Sequence, residues 1–81
     1  MEAAKAFGNV LRELRRKAEL TQEELAFEAE LRRTYISILE LGQQQPSLTT
    51  ILKLAKALNC SAQALMGMVE AEIAVGRRHK N

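Results

Sequence analysis

Eighty-one residues leave room for one small domain and no second core. A single cysteine, Cys60, rules out an intramolecular disulfide, and no group of Cys and His has metal-ligand spacing, so the expected metal and cofactor content is none. The single cysteine, the absence of a basic stretch followed by an apolar run in MEAAKAFGNV, and the lack of a bilayer-length apolar segment lead to the expectation of a reduced, cytoplasmic protein with no membrane partner. The formal charge of +2 does not by itself point to nucleic acid.

Nearly every segment has helical rather than strand periodicity, and only one proline and four glycines interrupt it. Phe7, Val10, Leu11, Leu14 and Ala18 fall on one stripe and predict a first helix ending near Glu19. Its basic residues Arg15, Arg16 and Lys17 read as a solvated face. In LTQEEL, Thr21 and Glu24 have capping-box spacing and Leu20 and Leu25 have staple spacing, so a second helix is expected from Gln22 to about Ala29. The segment ELRRTYISILELG follows. It predicts a third helix, with Gly42 at its left-handed end and Pro46 blocking extension. Ser47 is the N-cap expected for a fourth helix with Leu48, Ile51, Leu52, Ala55 and Leu58 inward and Asn59 at its end. Ser61 caps a fifth, and Cys60 reads as a small buried hydrophobe. The linkers are short, and neither repeats nor low-complexity segments occur.

Helices two and three are joined by only a few residues and must cross steeply. Ala26 supplies the small residue at their closest approach, and Ile36 and Leu39 face inward a turn apart with Leu25, Ala29 and Leu31 completing the wedge. This is a helix-turn-helix pattern, in which the third helix enters a DNA major groove and the second lies across the backbone. The expected fold is all-α, a compact five-helix bundle. The acids cluster in Glu19, Glu23, Glu24, Glu28 and Glu30, and a fold that turns them away from the arginines would have the two-sided charge that a phosphate-binding face requires.

The phrases LRELRRKAELTQEELA, YISILELG and PSLTTILKLAKAL, in this order, resemble the Cro/repressor-type (XRE-like) helix-turn-helix regulators over roughly residues 7–66. The resemblance implies a lambda-repressor-like DNA-binding domain over residues 1–67, followed by a C-terminal extension over 68–81. It implies base contacts from Arg33, Thr34 and Ile38, and backbone contacts from Gln22, Arg32, Tyr35, Ser37, Gln43 and Gln44. Glu40 matches an acid with a structural role, pairing with an arginine of helix one such as Arg12. The turn that usually holds glycine has Glu30, which implies either a strained left-handed residue costing about 1 kcal/mol or a different turn. Ile38, Leu41 and the QQQ tract stand where polar or basic residues are frequent. Ile38 and Leu41 can be read as packing against the fourth helix or a second subunit, and Ile38 alternatively as touching thymine methyls.

The end of the chain, ALMGMVEAEIAVGRRHKN, carries an apolar stripe surplus to the family core. Leu65, Met66, Met68, Val69 and Ile73 are therefore expected at a homodimer interface, with the basic RRHK tail beyond it. The expected function is sequence-specific double-stranded DNA binding by a transcriptional regulator, a homodimer on a short inverted repeat, of phage-repressor, restriction–modification-controller or antitoxin type. No small-molecule ligand and no catalytic constellation are expected. The alternative is a protein-interaction module on the same scaffold that no longer reads DNA.

Overall fold

The computed structural model describes residues 1–79, with side chains to Gly76. The side chains of the basic tail from Arg77 onward lie outside the described residues. Five helices follow one another: α1 (Ala3–Lys17), α2 (Gln22–Ala29), α3 (Arg33–Glu40), α4 (Leu48–Ala57) and α5 (Ala62–His79). None of them is long and apolar enough to cross a membrane.

Local hydrogen bonding sets most of the boundaries. Thr21 Oγ1 accepts from the Glu24 N–H at 3.0 Å and Glu24 Oε1 accepts from the Thr21 N–H at 2.8 Å, which closes the capping box. Ser47 Oγ accepts from the Thr50 N–H, and Ser61 Oγ accepts from the Ala64 N–H. Three helices end in a left-handed residue that is not glycine: Glu19 after α1, Glu30 after α2 and Asn59 after α4. Glu30, with φ 58°, therefore holds the strained conformation, while the Leu31 N–H reaches back to the Ala26 carbonyl at 2.9 Å. Gly42 provides the positive φ that ends the turn after α3.

Leu11, Leu25, Ile36, Leu39, Leu54 and Leu65 are fully buried, drawing one core from all five helices. Two glycines mark different situations. A Cβ on Gly8 would meet the Leu39 and Glu40 carbonyl oxygens at 2.4 and 2.7 Å, so α1 presses its backbone against the last turn of α3. Around Gly67 nothing lies within 4 Å.

Several expectations from periodicity are corrected. Ala18 is exposed. On α4, Leu48 and Leu52 point outward, 72% and 52% exposed, while Thr50 and Leu54 occupy the inner side with Ala55. On α5, Leu65 and Val69 are buried in the chain's own core, whereas Met66 and Met68 of the same expected stripe are exposed. The segment from Met68 to Val75 is not surplus: Ile73 packs on the core beside Val69, and Asn9 Nδ2 donates to Glu72 Oε2 at 3.1 Å. The 67/68 boundary falls inside an uninterrupted α5.

Candidate nucleic-acid interface

Eight residues give α3 just over two turns, and its two faces divide sharply. Ile36, Leu39 and Glu40 are buried; Arg33 and Thr34 are exposed, as is Arg32 at the N-cap; Tyr35, Ser37 and Ile38 are half-buried. The first turn thus projects its polar side chains outward while the second turn anchors the helix. Leu41, at the C-cap, is half-exposed, so the core does not absorb it.

The anchor is polar at its centre. Glu40 is 3% exposed, yet its carboxylate is fully engaged. Oε2 accepts from Arg15 Nε at 2.6 Å, and Oε1 accepts from Arg15 Nη2 at 3.0 Å and from Gln22 Nε2 at 3.1 Å. Arg12 Nε stands 3.7 Å from Oε1, and Arg12 Nη2 donates to the Glu40 carbonyl oxygen at 3.4 Å. Arg15 also donates to the Leu20 carbonyl at 2.8 Å, tying the turn after α1 to the same cluster. The expected pairing of Glu40 with helix one is present, with Arg15 rather than Arg12 as principal partner. Arg15 is accordingly not part of a solvated face, whereas Arg16 and Lys17 are exposed. Burial alone would raise the Glu40 carboxyl. The hydrogen bonds from Arg15 and Gln22, with the charges of Arg15 and Arg12, outweigh it and hold the group below its ordinary value. The bond to Glu40 raises Arg15 against a smaller opposing effect of burial.

This cluster joins α1, the N-terminus of α2 and the C-terminus of α3. It brings Gln22 beside Arg33: Arg33 Nη1 donates to Gln22 Oε1 at 3.5 Å. Tyr35 is held differently. Its hydroxyl lies 3.3 Å from Thr50 Oγ1, which in turn accepts from Ser47 Oγ at 3.0 Å, so a polar chain links α3 to the cap of α4. Gln43 and Gln44 are exposed in the loop between them. Arg32, Thr34, Gln43 and Gln44 are exposed beside this cluster and carry the guanidinium, hydroxyl and amide donors that meet phosphate and base edges. Two features were not readable in the sequence: the contact of Gln22 with both Glu40 and Arg33, and the outward turn of Leu48 and Leu52. Among the described residues no group of His, Cys, Asp and Glu is arranged to hold a metal ion.

A family model described as helix-turn-helix matches residues 11–65. The chain is 44% identical over 61 residues to the control protein C.BamHI of Bacillus amyloliquefaciens, covering 74% of this chain and 75% of that one. Among solved structures it is 47% identical to the restriction–modification controller protein C.AhdI from Aeromonas hydrophila, with a TM-score of 0.74 over 76% of this chain and 94% of that one. It also superimposes on the restriction–modification controller protein C.Esp1396I, solved as a tetramer in complex with its natural 35 base-pair operator. That match has a TM-score of 0.83 at 27% identity and covers 91% of this chain and 97% of that one.

Proposed function

This chain belongs to the helix-turn-helix family, and from that premise we propose that it is a sequence-specific double-stranded-DNA-binding transcriptional regulator of the restriction–modification-controller kind. The observation that carries the reading is the exposed first turn of α3, with Arg33 beside Gln22 and both backed by a buried, fully paired Glu40. A reading head needs exposed donors on a rigid support, and this arrangement has both.

In this reading α3 lies in the major groove. Arg33 donates to a guanine O6/N7 edge, Thr34 bonds a neighbouring base or touches a thymine methyl, and Ile38 offers its half-exposed apolar side chain to a methyl. Gln22 sits at the start of α2, where the helix dipole and the free N–H groups favour an anion, and its amide adds a donor to the same phosphate. Arg32, Tyr35, Ser37, Gln43 and Gln44 line the backbone on either side. The protein works in the cytoplasm by occupancy of its operator and has no catalytic role.

The protein acts as a homodimer on a short inverted repeat, so that two copies of α3 meet successive major-groove faces. The surface for this centres on α4 rather than on buried Leu65. Leu48 and Leu52, a turn apart on α4, and Met66 on α5 are exposed, with half-buried Ile51 beside the two leucines. Ile51 and Met66 also line a cleft of about 120 Å³ with Ala3, Phe7, Pro46 and Val69. Solvent-facing leucines next to an apolar cleft fit a self-complementary twofold contact.

Selection of duplexes from a random pool by the full chain tests the reading. An inverted repeat should emerge, and its affinity should fall by orders of magnitude between about 50 and 200 mM salt as phosphate contacts are lost. No binding at low salt would leave the interaction-module alternative instead.

A further inference from the structure

The loop after α3 carries no charge where a contact to the DNA backbone is assigned. Leu41 to Gln45 hold neither lysine nor arginine, and it is cations that neutralise phosphates and release their counterions. The fold brings a cation in from α1. A Cβ on Gly42 would lie 2.9 Å from Lys5 Cα and 3.1 Å from Lys5 Cδ, so the backbone and aliphatic stem of Lys5 lie directly against the loop. Gln43 and Gln44 come next in the chain and are exposed, as Lys5 is. The same row of α1 continues with Gly8 against the Leu39 and Glu40 carbonyls, then with Arg12 and Arg15. Both arginines are engaged by the Glu40 carboxylate, whereas Lys5 forms no ion pair among the described residues.

Helix stability does not account for a lysine at this place. Lys5 is the third residue of α1, whose first turn has no acidic residue and whose N-cap Glu2 makes no side-chain capping bond. A cation there opposes the helix dipole. An exposed, unpaired cation held against the loop assigned to phosphates is the arrangement of a backbone ligand.

We infer that Lys5 is a phosphate ligand of the DNA interface, supplying from α1 the positive charge that the loop after α3 lacks. This rests on the DNA-binding reading and adds to it a contact that neither helix of the helix-turn-helix provides. The Lys5 ammonium, two bonds beyond Cδ on a flexible stem, shares a phosphate with the Gln43 and Gln44 amides.

The test measures affinity for the selected operator, and for duplexes changed one base pair at a time, across a series of salt concentrations. The full chain is compared with Lys5→Gln, Lys5→Arg and Lys56→Gln, each verified as folded by far-UV dichroism. Lys56 is an exposed lysine of α4 that shares a cleft with Glu28 and Glu30, so its variant makes the same charge change elsewhere. Lys5→Gln should melt no lower than the parent, because the dipole gains from losing the cation. It should nevertheless lose about tenfold in affinity per copy near 0.1 M salt, with a salt slope shallower by about 0.9 per copy. The loss should be equal on every duplex, since a phosphate carries no sequence information. Lys5→Arg should keep the parent slope, and Lys56→Gln should change it far less. A Lys5→Gln slope no shallower than that of Lys56→Gln, or a loss confined to particular base pairs, would overturn the contact while leaving DNA binding intact. A parent affinity that does not fall with salt would overturn the DNA-binding reading, and the role of Lys5 with it.

Discussion

Helix propensity and packing make opposite predictions for Gly8→Ala. Glycine inside a helix is less favourable than alanine by about 0.8–1.0 kcal/mol, so on propensity alone the substitution stabilises. The structure reverses the sign. The new Cβ would lie 2.4 Å from the Leu39 carbonyl oxygen and 2.7 Å from that of Glu40. Close C···O contacts settle near 3.3–3.6 Å, so the two helices must separate by roughly 1 Å. The opposing atoms are backbone on both sides and cannot rotate away, which places the cost in the upper part of the about 1–3 kcal/mol range for overpacking. The net loss is about 1–2 kcal/mol, out of a total stability of roughly 4–12 kcal/mol for a chain of this size. Gly67→Ala is the control: also inside a helix, exposed and with no atom within 4 Å, it should gain roughly 0.5–1 kcal/mol. Urea unfolding followed by dichroism, at one fixed protein concentration because the stability of any oligomer depends on it, measures both. The expected melting shift for Gly8→Ala is a fall of about 5–15 °C. If Gly8→Ala is as stable as the parent while Gly67→Ala is stabilised, the close approach of α1 to α3 is wrong.

Three further perturbations follow from the same geometry. Glu30→Gly should raise stability by roughly 0.5 kcal/mol, because relief of about 1 kcal/mol of left-handed strain exceeds the extra unfolded-chain entropy of glycine; a lower urea midpoint would contradict this. Glu40→Gln should cost about 1.5–3 kcal/mol at neutral pH. The folded-state carboxyl lies below its unfolded value of 4.5, so its contribution is present above that value and is lost as pH falls through the folded one. The difference between parent and variant in urea titrations should therefore narrow below about pH 4.5 and stay constant from pH 6 to 8. Leu48→Ser combined with Leu52→Ser should shift sedimentation at micromolar concentration toward monomer and weaken operator binding. Phe27→Ser, at the highly exposed Phe27 of α2, should leave association unchanged, and a double variant that remains dimeric would move the interface elsewhere.

What the sequence determined by itself is what depends on neighbours three or four residues away. The α2 boundaries, the capping box of Thr21 and Glu24, the caps at Ser47 and Ser61, and the inward pair Ile36 and Leu39 were all readable, because the spacing of a few residues specifies both the hydrogen bond and the face. The helix-turn-helix pattern was readable for the same reason, since a short turn between two helices leaves few crossing geometries. Periodicity shows that a helix has an apolar side; it does not show which neighbour lies there. On α4 the stripes through Leu48 and Leu52 and through Leu54 were both apolar, and only the placement of α2 and α5 against the helix put Leu54 inside. Likewise α5 packs along α1, which buries Leu65 and Val69 in the chain's own core. The Glu40 cluster is tertiary in the strictest sense, because its donors come from Arg12, Arg15 and Gln22, at least 18 residues away along the chain. A buried carboxylate is tolerable only when fully paired, and that pairing, decided by how three helices meet, is what places Gln22 against Arg33.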